Sequence, residues 1–343
     1  MKSLNKNSSY LKESSLDPNV LLQHKKNIYN LLDAAVRKDP PDAVLLSWWI
    51  DSSVLAYLWK KYNPQLIWIT VVSEDTISPD QHYATLVAEK LWLNHKIVVL
   101  KKEEVDALTK KVVLSLWSFN MYWISASLVL YKWLEFAKQM GFHKVATGEW
   151  SDDLFWSFPV MLNWEFGNDT LKDFINNRIL DIDLMTEKVS ESNGINVVLP
   201  YHDVELKDYV LKMPINLRNI EQEDWNIITK YLLRQAFVSD LPSEVIYRPQ
   251  TMAFTWASTL DVLHQQYANT RSVADLQKQY NLNIDSPLQA YLFEVLVNAN
   301  KYTPILDGQW PSCLFCKSKL RTKESVHCVV CWTLQYNNKV LNF

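Results

Sequence analysis

A chain of 343 residues with 48% hydrophobic and 21% charged content has the composition of an ordinary globular protein, long enough for one large α/β domain plus an accessory module or for two modest domains. Its formal net charge of −3 and pI near 6.2 exclude a global electrostatic pull toward nucleic acid. No apolar run approaches the roughly 20 residues of a membrane span, and the Ser-, Asn- and Lys-rich first 18 residues hold no apolar signal core, so a cytoplasmic protein without a membrane partner is expected.

Residues 1–18 read as a flexible tail. Leu21 to Arg37 follows with Leu21, Leu22, Ile28, Leu31, Leu32 and Val36 near one stripe, the pattern of an amphipathic helix that Pro40-Pro41 ends. Ala43–Ser47 reads as a short buried strand, then a helix from about Ser52 to Lys61. Strands at Leu66–Val72, Lys96–Leu100 and Lys144–Thr147 alternate with helices at Asp80–Trp92, Glu103–Leu116 and Ala126–Met140. That alternation predicts a parallel sheet with helices on both faces. From about Leu171 to Asn300 the pattern is mainly helical, interrupted at Pro200, Pro214, Pro242 and Pro249.

Two loops at strand ends carry the chemistry. Ser47-Trp48-Trp49-Ile50-Asp51-Ser52-Ser53 joins the first strand to its helix. Serine hydroxyls and free N–H groups at a helix start suit phosphate, and Asp51 suits magnesium. A plain helix cap by Asp51 or Ser52 reads the same residues equally well. Thr147-Gly148-Glu149-Trp150-Ser151-Asp152-Asp153 follows the later strand. Three carboxylates within five residues suit metal and nucleotide work, or else a solvated first turn.

Together these loops resemble the synthetase domain of the asparagine synthetase family, which belongs to the pyrophosphate-loop ATP pyrophosphatases and carries S-G-G-[LI]-D-S-S and G-E-G-S-D-E-L-F-G-G-Y. Leu199-Pro200-Tyr201-His202-Asp203 resembles its V-P-F-L-D. Lys230-Tyr-Leu-Leu-Arg-Gln-Ala-Phe237 resembles K-Y-L-L-R-K-A-F, and Tyr247-Arg248-Pro249 its R-P-K stretch. The resemblance covers about residues 20–260. It implies an adenine-nucleotide α-hydrolase-like fold over 19–305 and ATP-dependent amide formation through an acyl-adenylate.

Carried over by position, Ser47, Asp51, Ser52 and Ser53 would cradle pyrophosphate, with Trp48 and Trp49 at the loop's two glycine positions. Asp51 and Asp152 would hold magnesium, Glu149 would face the substrate side, and Val72 and Gly148 would lie near the adenosine. ATP and a small carboxylate are the implied ligands. Asp51, Glu149 and Asp152 are the implied catalytic residues.

Two departures matter. Glutamine-using members begin with a domain whose nucleophile is an N-terminal cysteine, whereas no cysteine precedes Cys313 here. Ammonia is therefore expected from solution or from a separate ammonia-supplying subunit. The family's R-P-K lysine is matched by Gln250, which removes a cation from the adenylate chemistry.

A third departure is tryptophan. The chain has 15 Trp and 5 Gly, and the two together make roughly the share, about 7%, that Gly alone usually takes. Trp48, Trp49, Trp150 and Trp156 stand at family glycines. Trp332 stands after a C-x-x-C and Trp92 after a helix, both places where Gly supplies a positive φ. The pattern predicts a source genome that reads UGA as glycine. An inactive paralogue and a genuine Trp-rich loop are the alternatives.

Cys313-x2-Cys316 and Cys328-x2-Cys331, separated by eleven residues, predict a four-thiolate zinc ribbon over 306–343. A redox C-x-x-C is the competitor. The intervening 317–327 segment is short enough for a hairpin, and His327 is expected behind the ligands or on the surface. The run Lys317-Ser-Lys-Leu-Arg-Thr-Lys323 reads as a solvated face, and it is the one place where a nucleic-acid partner would dock. Besides the ligase, two further functions fit: a non-catalytic nucleotide-binding or interaction protein using the ribbon, and an RNA-modifying ATP pyrophosphatase.

Overall fold

A computed structural model describes residues 16–47, 49–74, 79–155, 157, 168–181, 184–214, 217–221, 227–248, 259–268, 273–280, 282, 284–299, 311–337 and 339–341. Trp48, Trp156, Gln250 and most of the N-terminal tail lie outside these residues.

Asp17 opens α1 (Pro18–Lys38), its carboxylate accepting from the Asn19 amide at 2.8 Å, with Pro18 presetting the first helical φ. Ile28, Leu32, Ala35 and Val36 form its buried stripe. The chain then alternates through β1 (Ala43–Leu45), α2 (Ile50–Tyr62), β2 (Ile67–Ser73), α3 (Pro79–Leu91), β3 (Asn94–Leu100), α4 (Val105–Leu116), α5 (Met121–Gln139) and β4 (Lys144–Ala146). Helices α6 (Ser151–Leu154), α7 (Asn168–Asp181) and α8 (Met185–Asn193) lead to β5 (Asn196–Val198).

These five strands form one parallel sheet in the order β3-β2-β1-β4-β5, with Ala43 of β1 opposite both Ile67 and Val145. The central β1 is buried along its whole length, as a strand covered on both faces must be. One apolar cluster joins α1, α2 and α3 to one face. A second joins α4, α5 and α8 to the other, together with α12 (Thr259–Tyr267), α13 (Val273–Tyr280) and α14 (Pro287–Asn298). Between β5 and α12 the chain forms α9 (Val204–Lys212), the pair β6 (Ile220–Glu221) and β7 (Ile227–Ile228), α10 (Tyr231–Ala236) and α11 (Ser243–Ile246). Among the described residues no single helix is long and apolar enough to cross a membrane.

The alternation anticipated from sequence is present, with three corrections. Helix α5 starts at Met121 and not near Ala126, because the Asn120 side chain caps it by accepting from the Tyr122 and Trp123 amides, each at 3.0 Å. Asn196–Val198, placed in a mainly helical stretch, is the fifth parallel strand and pairs with β4.

The third correction concerns the four-cysteine module. Its hairpin is β8 (Leu334–Tyr336) with β9 (Lys339–Leu341), after the second C-x-x-C. The 317–327 segment makes only the isolated bridges Ser312↔Lys319 and His327↔Leu334. His327 is not at the surface. It is buried edge-on against the Trp332 ring at 4.7 Å. All four cysteines belong to the same apolar cluster as α4 and α5, so the module is packed into the main body.

Candidate active site at the strand-order switch

The sheet order reverses at β1, whose neighbours are β2 and β4. In open parallel sheets the crevice at such a switch point, at the carboxyl ends of the strands, is where ligands bind. Both loops singled out above emerge there, one after β1 and one after β4. The two press together at Gly148: a Cβ on it would lie 3.0 Å from the Asp51 Cβ and 3.0 Å from the Ser52 amide nitrogen. Only glycine permits that approach without a shift.

Asp51, in the first turn of α2, is buried, and every polar group of its side chain is engaged. Oδ1 accepts from Ser151 Oγ at 2.6 Å, and Oδ2 pairs with Lys230 Nζ at 2.5 Å. Its main-chain carbonyl accepts from the Tyr201 hydroxyl at 3.0 Å, which explains the Pro-Tyr-His segment after β5. Lys230 is wholly buried and also reaches Asp152 Oδ1 at 2.9 Å. Asp152 is the more open of the two carboxylates, with 29% of its side chain exposed.

Burial pushes the Asp51 carboxyl up and Lys230 opposes it. Burial pulls Lys230 down, but Asp152 and Asp51 outweigh it and hold the ammonium charged. The two predicted magnesium ligands are therefore brought together around a cation. Asp51 is fully engaged by Ser151 and Lys230, and Asp152 keeps an open side next to it.

The serines are placed differently from a simple row of donors. Ser52 Oγ lies 2.9 Å from Ser47 Oγ and accepts from the Ser47 amide at 3.1 Å, while Ser53 Oγ donates to the Trp49 carbonyl at 2.9 Å. They close the loop on itself. The indole of Trp49 lies close to two cations, 5.6 Å from Lys230 Nζ and 5.8 Å from the Arg248 guanidinium. Val72 is a buried residue of β2, one position before its end.

Glu149 is engaged at the start of α8. Its carboxylate accepts from the Met185 and Thr186 amides at 3.1 and 3.2 Å and so caps α8. Burial pushes it up to about 7 against those hydrogen bonds. Asp153 is buried in an ion pair with Arg178 Nε at 2.6 Å, its carboxyl pushed up by burial against the guanidinium. Sequence reasoning quoted Lys230 and Arg248 only as letters of a motif and passed over Arg178. The roles of Lys230 and Arg178 depend on pairings across 179 and 25 positions, which no local pattern signals.

Backbone geometry bears on the tryptophans. Among the described residues, seven other than glycine have positive φ, and four are tryptophan: Trp92 (52°), Trp117 (51°), Trp150 (84°) and Trp332 (58°). A bulky residue there is an outlier. The indole N–H groups of Trp150 and Trp332 are also buried with no hydrogen-bond partner among the described residues.

The four cysteine sulfurs lie within 4.8 Å of one another, with Cys313–Cys331 at 3.5 Å and Cys316–Cys328 at 3.6 Å. Tetrahedral zinc with bonds of about 2.3 Å places its sulfurs about 3.8 Å apart, so the set fits that ion. Hydrogen bonds from Cys316, Cys328 and Cys331 pull the Cys313 thiol down toward the thiolate.

The asparagine synthase family model matches residues 27–180 and 177–299. Asparagine synthetase B [glutamine-hydrolyzing] of Escherichia coli (strain K12) is 23% identical over 305 residues, 82% of this chain and 54% of that protein. Asparagine synthetase [glutamine-hydrolyzing] of Gallus gallus is 26% identical over 291 residues, 78% of this chain and 51% of that protein. The chain thus spans about half the length of these curated relatives. Among solved structures, NMN synthetase from Francisella tularensis aligns over 84% of this chain and 99% of its own, at 14% identity and a TM-score of 0.37.

Proposed function

Because the chain belongs to the asparagine synthase family, we propose that it is an ATP-dependent, AMP-forming amide synthetase whose switch-point loops hold pyrophosphate as a leaving group. A carboxylate oxygen of a small acid attacks the α-phosphorus, the bond to pyrophosphate breaks, and an acyl-adenylate forms. Ammonia or another amine then attacks the acyl carbon, AMP leaves, and the nitrogen sheds a proton. The amine arrives from solution or from a separate ammonia-supplying subunit.

The observation that carries this reading is the convergence of Asp51 and Asp152 on Lys230 at the switch point. Asp51 and Asp152 would hold magnesium, which supplies charge neutralisation on the departing pyrophosphate. Lys230 and Arg248 would meet the remaining phosphate oxygens, and preset cations of this kind lower a barrier because they need no reorganisation. Glu149 would act on the site indirectly, by fixing the start of α8 against the acidic loop.

Trp49 is the obstacle, since its indole stands 5.6 Å from one cation and 5.8 Å from the other. A non-catalytic protein is the second reading that this observation favours. The ligase reading answers it with glycine: UGA codons read as glycine in the source would account for the ring in the phosphate loop and for the four tryptophans in left-handed backbone. The aspartates and serines of the site persist beside them, whereas loss of function would erode all alike.

The test is carboxylate-dependent exchange of labelled pyrophosphate into ATP by the chain with glycine at 48, 49, 150 and 156. Exchange with aspartate or another small acid supports the adenylate. Its absence across a panel of acids, with folding intact, supports the non-catalytic reading.

A further inference from the structure

We propose that Arg178 is a positioning residue for the acidic loop and that the four-cysteine module is the brace that sets it, an inference that rests on the ligase reading only for its effect on turnover. Leu171, Phe174, Ile175 and Arg178 stand at i, i+3, i+4 and i+7 of α7, so they share one helix face. The first three pack against Val326 and Leu334 of the module, with Tyr336 and Leu341 alongside. Phe174 meets the Tyr336 ring edge-on at 5.9 Å. One turn further, the same face delivers Arg178 to Asp153.

The module is itself anchored at a second point. The Phe119 amide donates to the Val330 carbonyl at 3.1 Å, and Asn120 Nδ2 donates to the Cys331 carbonyl at 3.0 Å. The Trp123 and Trp332 rings lie 4.8 Å apart. The cysteine module therefore ties the α4–α5 junction, which packs on the sheet, to α7. Through α7 that tie reaches Asp153, and Asp153 adjoins Asp152, one of the two carboxylates around Lys230.

A guanidinium at 1% exposure is a costly group that a purely apolar helix–ribbon contact would not require. Its Nε holds Asp153 Oδ1 at 2.6 Å in a charge-assisted hydrogen bond. A metal bound by the four thiolates makes the brace rigid, because binding energy at such a site is folding energy of the module.

Amide hydrogen exchange on the full, zinc-loaded chain tests this without substrate. Arg178→Met is expected to speed exchange at residues 151–155 about tenfold or more, while β2 amides stay protected and zinc content is unchanged. Arg178→Lys should recover part of the protection. Withdrawing zinc with a chelator should loosen 151–155 in the same way, and Phe174→Ala, which cuts the link between ribbon and helix, should do so with zinc still bound. In the chain with glycine at 48, 49, 150 and 156, a readout that rests on the ligase reading, Arg178→Met should weaken binding of magnesium pyrophosphate about 10- to 100-fold, as loss of a group that orients a metal ligand does.

Unaltered protection at 151–155 in Arg178→Met, or after zinc withdrawal, overturns the proposal. So does a uniform loss of protection that includes β2, which would make the role global. A chain that never forms AMP would remove the ligase reading and leave the exchange result standing on its own.

Discussion

Lys230 Nζ lies 2.5 Å from Asp51 Oδ2, with neither side chain more than 6% exposed, and the pair joins the first turn of α2 to the start of α10. A buried ammonium is tolerable only while its carboxylates are present, and the reverse also holds. The pair thus couples folding to the charge state of the candidate site. Through Asp152 the same ammonium also joins the two loops that the sheet order brings together.

Lys230→Met should therefore cost about 3–5 kcal/mol at neutral pH, read by urea unfolding, because it strands Asp51 and leaves Asp152 without its cation. The loss should shrink as pH falls. Burial already pushes the Asp51 carboxyl up, and without Lys230 it takes a proton more readily. Magnesium should restore part of the variant's stability if the two carboxylates can hold it. An unchanged unfolding midpoint would show that the pair carries no such weight.

Glu149 gives a second pH signature. Its folded value of about 7 exceeds the unbound carboxyl's 4.5. The folded state therefore keeps a proton that the unfolded chain gives up, and stability contributed by the neutral form is full below 4.5 and lost as pH rises toward 7. At about 1.4 kcal/mol per pH unit of separation the loss is about 3 kcal/mol. Glu149→Gln should flatten that slope in unfolding measured from pH 4.5 to 7.5. A parent-like slope in the variant would assign the dependence to other groups.

The cysteine module should hold one zinc per chain by elemental analysis, and Cys316→Ser or Cys331→Ser should release it. Near-ultraviolet signals from the Trp123–Trp332 contact should go with the metal. A chain free of zinc that instead forms and breaks a disulfide would reverse the assignment.

Trp92 and Trp117 are the clearest sites for the glycine reading. Each sits just past a helix end in left-handed backbone, at 84% and 54% exposure, so neither indole gains much by burial. Trp92→Gly should raise stability by about 1 kcal/mol, the cost a non-glycine residue bears there. Codons at Trp48, Trp49, Trp150, Trp156 and Trp332 should read UGA. UGG at Trp48 and Trp49 would make the rings genuine and the site inactive.

Much of this is legible in the amino-acid sequence. The loops after β1 and β4 and the cysteine spacing are local patterns, and local patterns survive in a single sequence. Trp92, Trp150 and Trp332 were legible as glycine positions for the same reason, whereas Trp117 was not, because a helix junction without a motif gives no cue. β5 was hidden by its three-residue length in a helical stretch. Lys230, Arg178 and the capping role of Glu149 depend on tertiary pairings. A motif can name such a residue, but only the fold shows what it touches.

The central claim is that a carboxylate attacks the α-phosphorus of ATP. Its most direct test uses the glycine-restored chain with MgATP, ammonia and aspartate labelled with oxygen-18 in its carboxylates, followed by mass analysis of the nucleotide. Attack through an acyl-adenylate leaves one labelled oxygen in AMP when the amine displaces it, with pyrophosphate as the other product. We predict labelled AMP in step with amide formed, and loss of both in Asp51→Asn. ADP with labelled inorganic phosphate would place the attack at the γ-phosphorus and contradict the account.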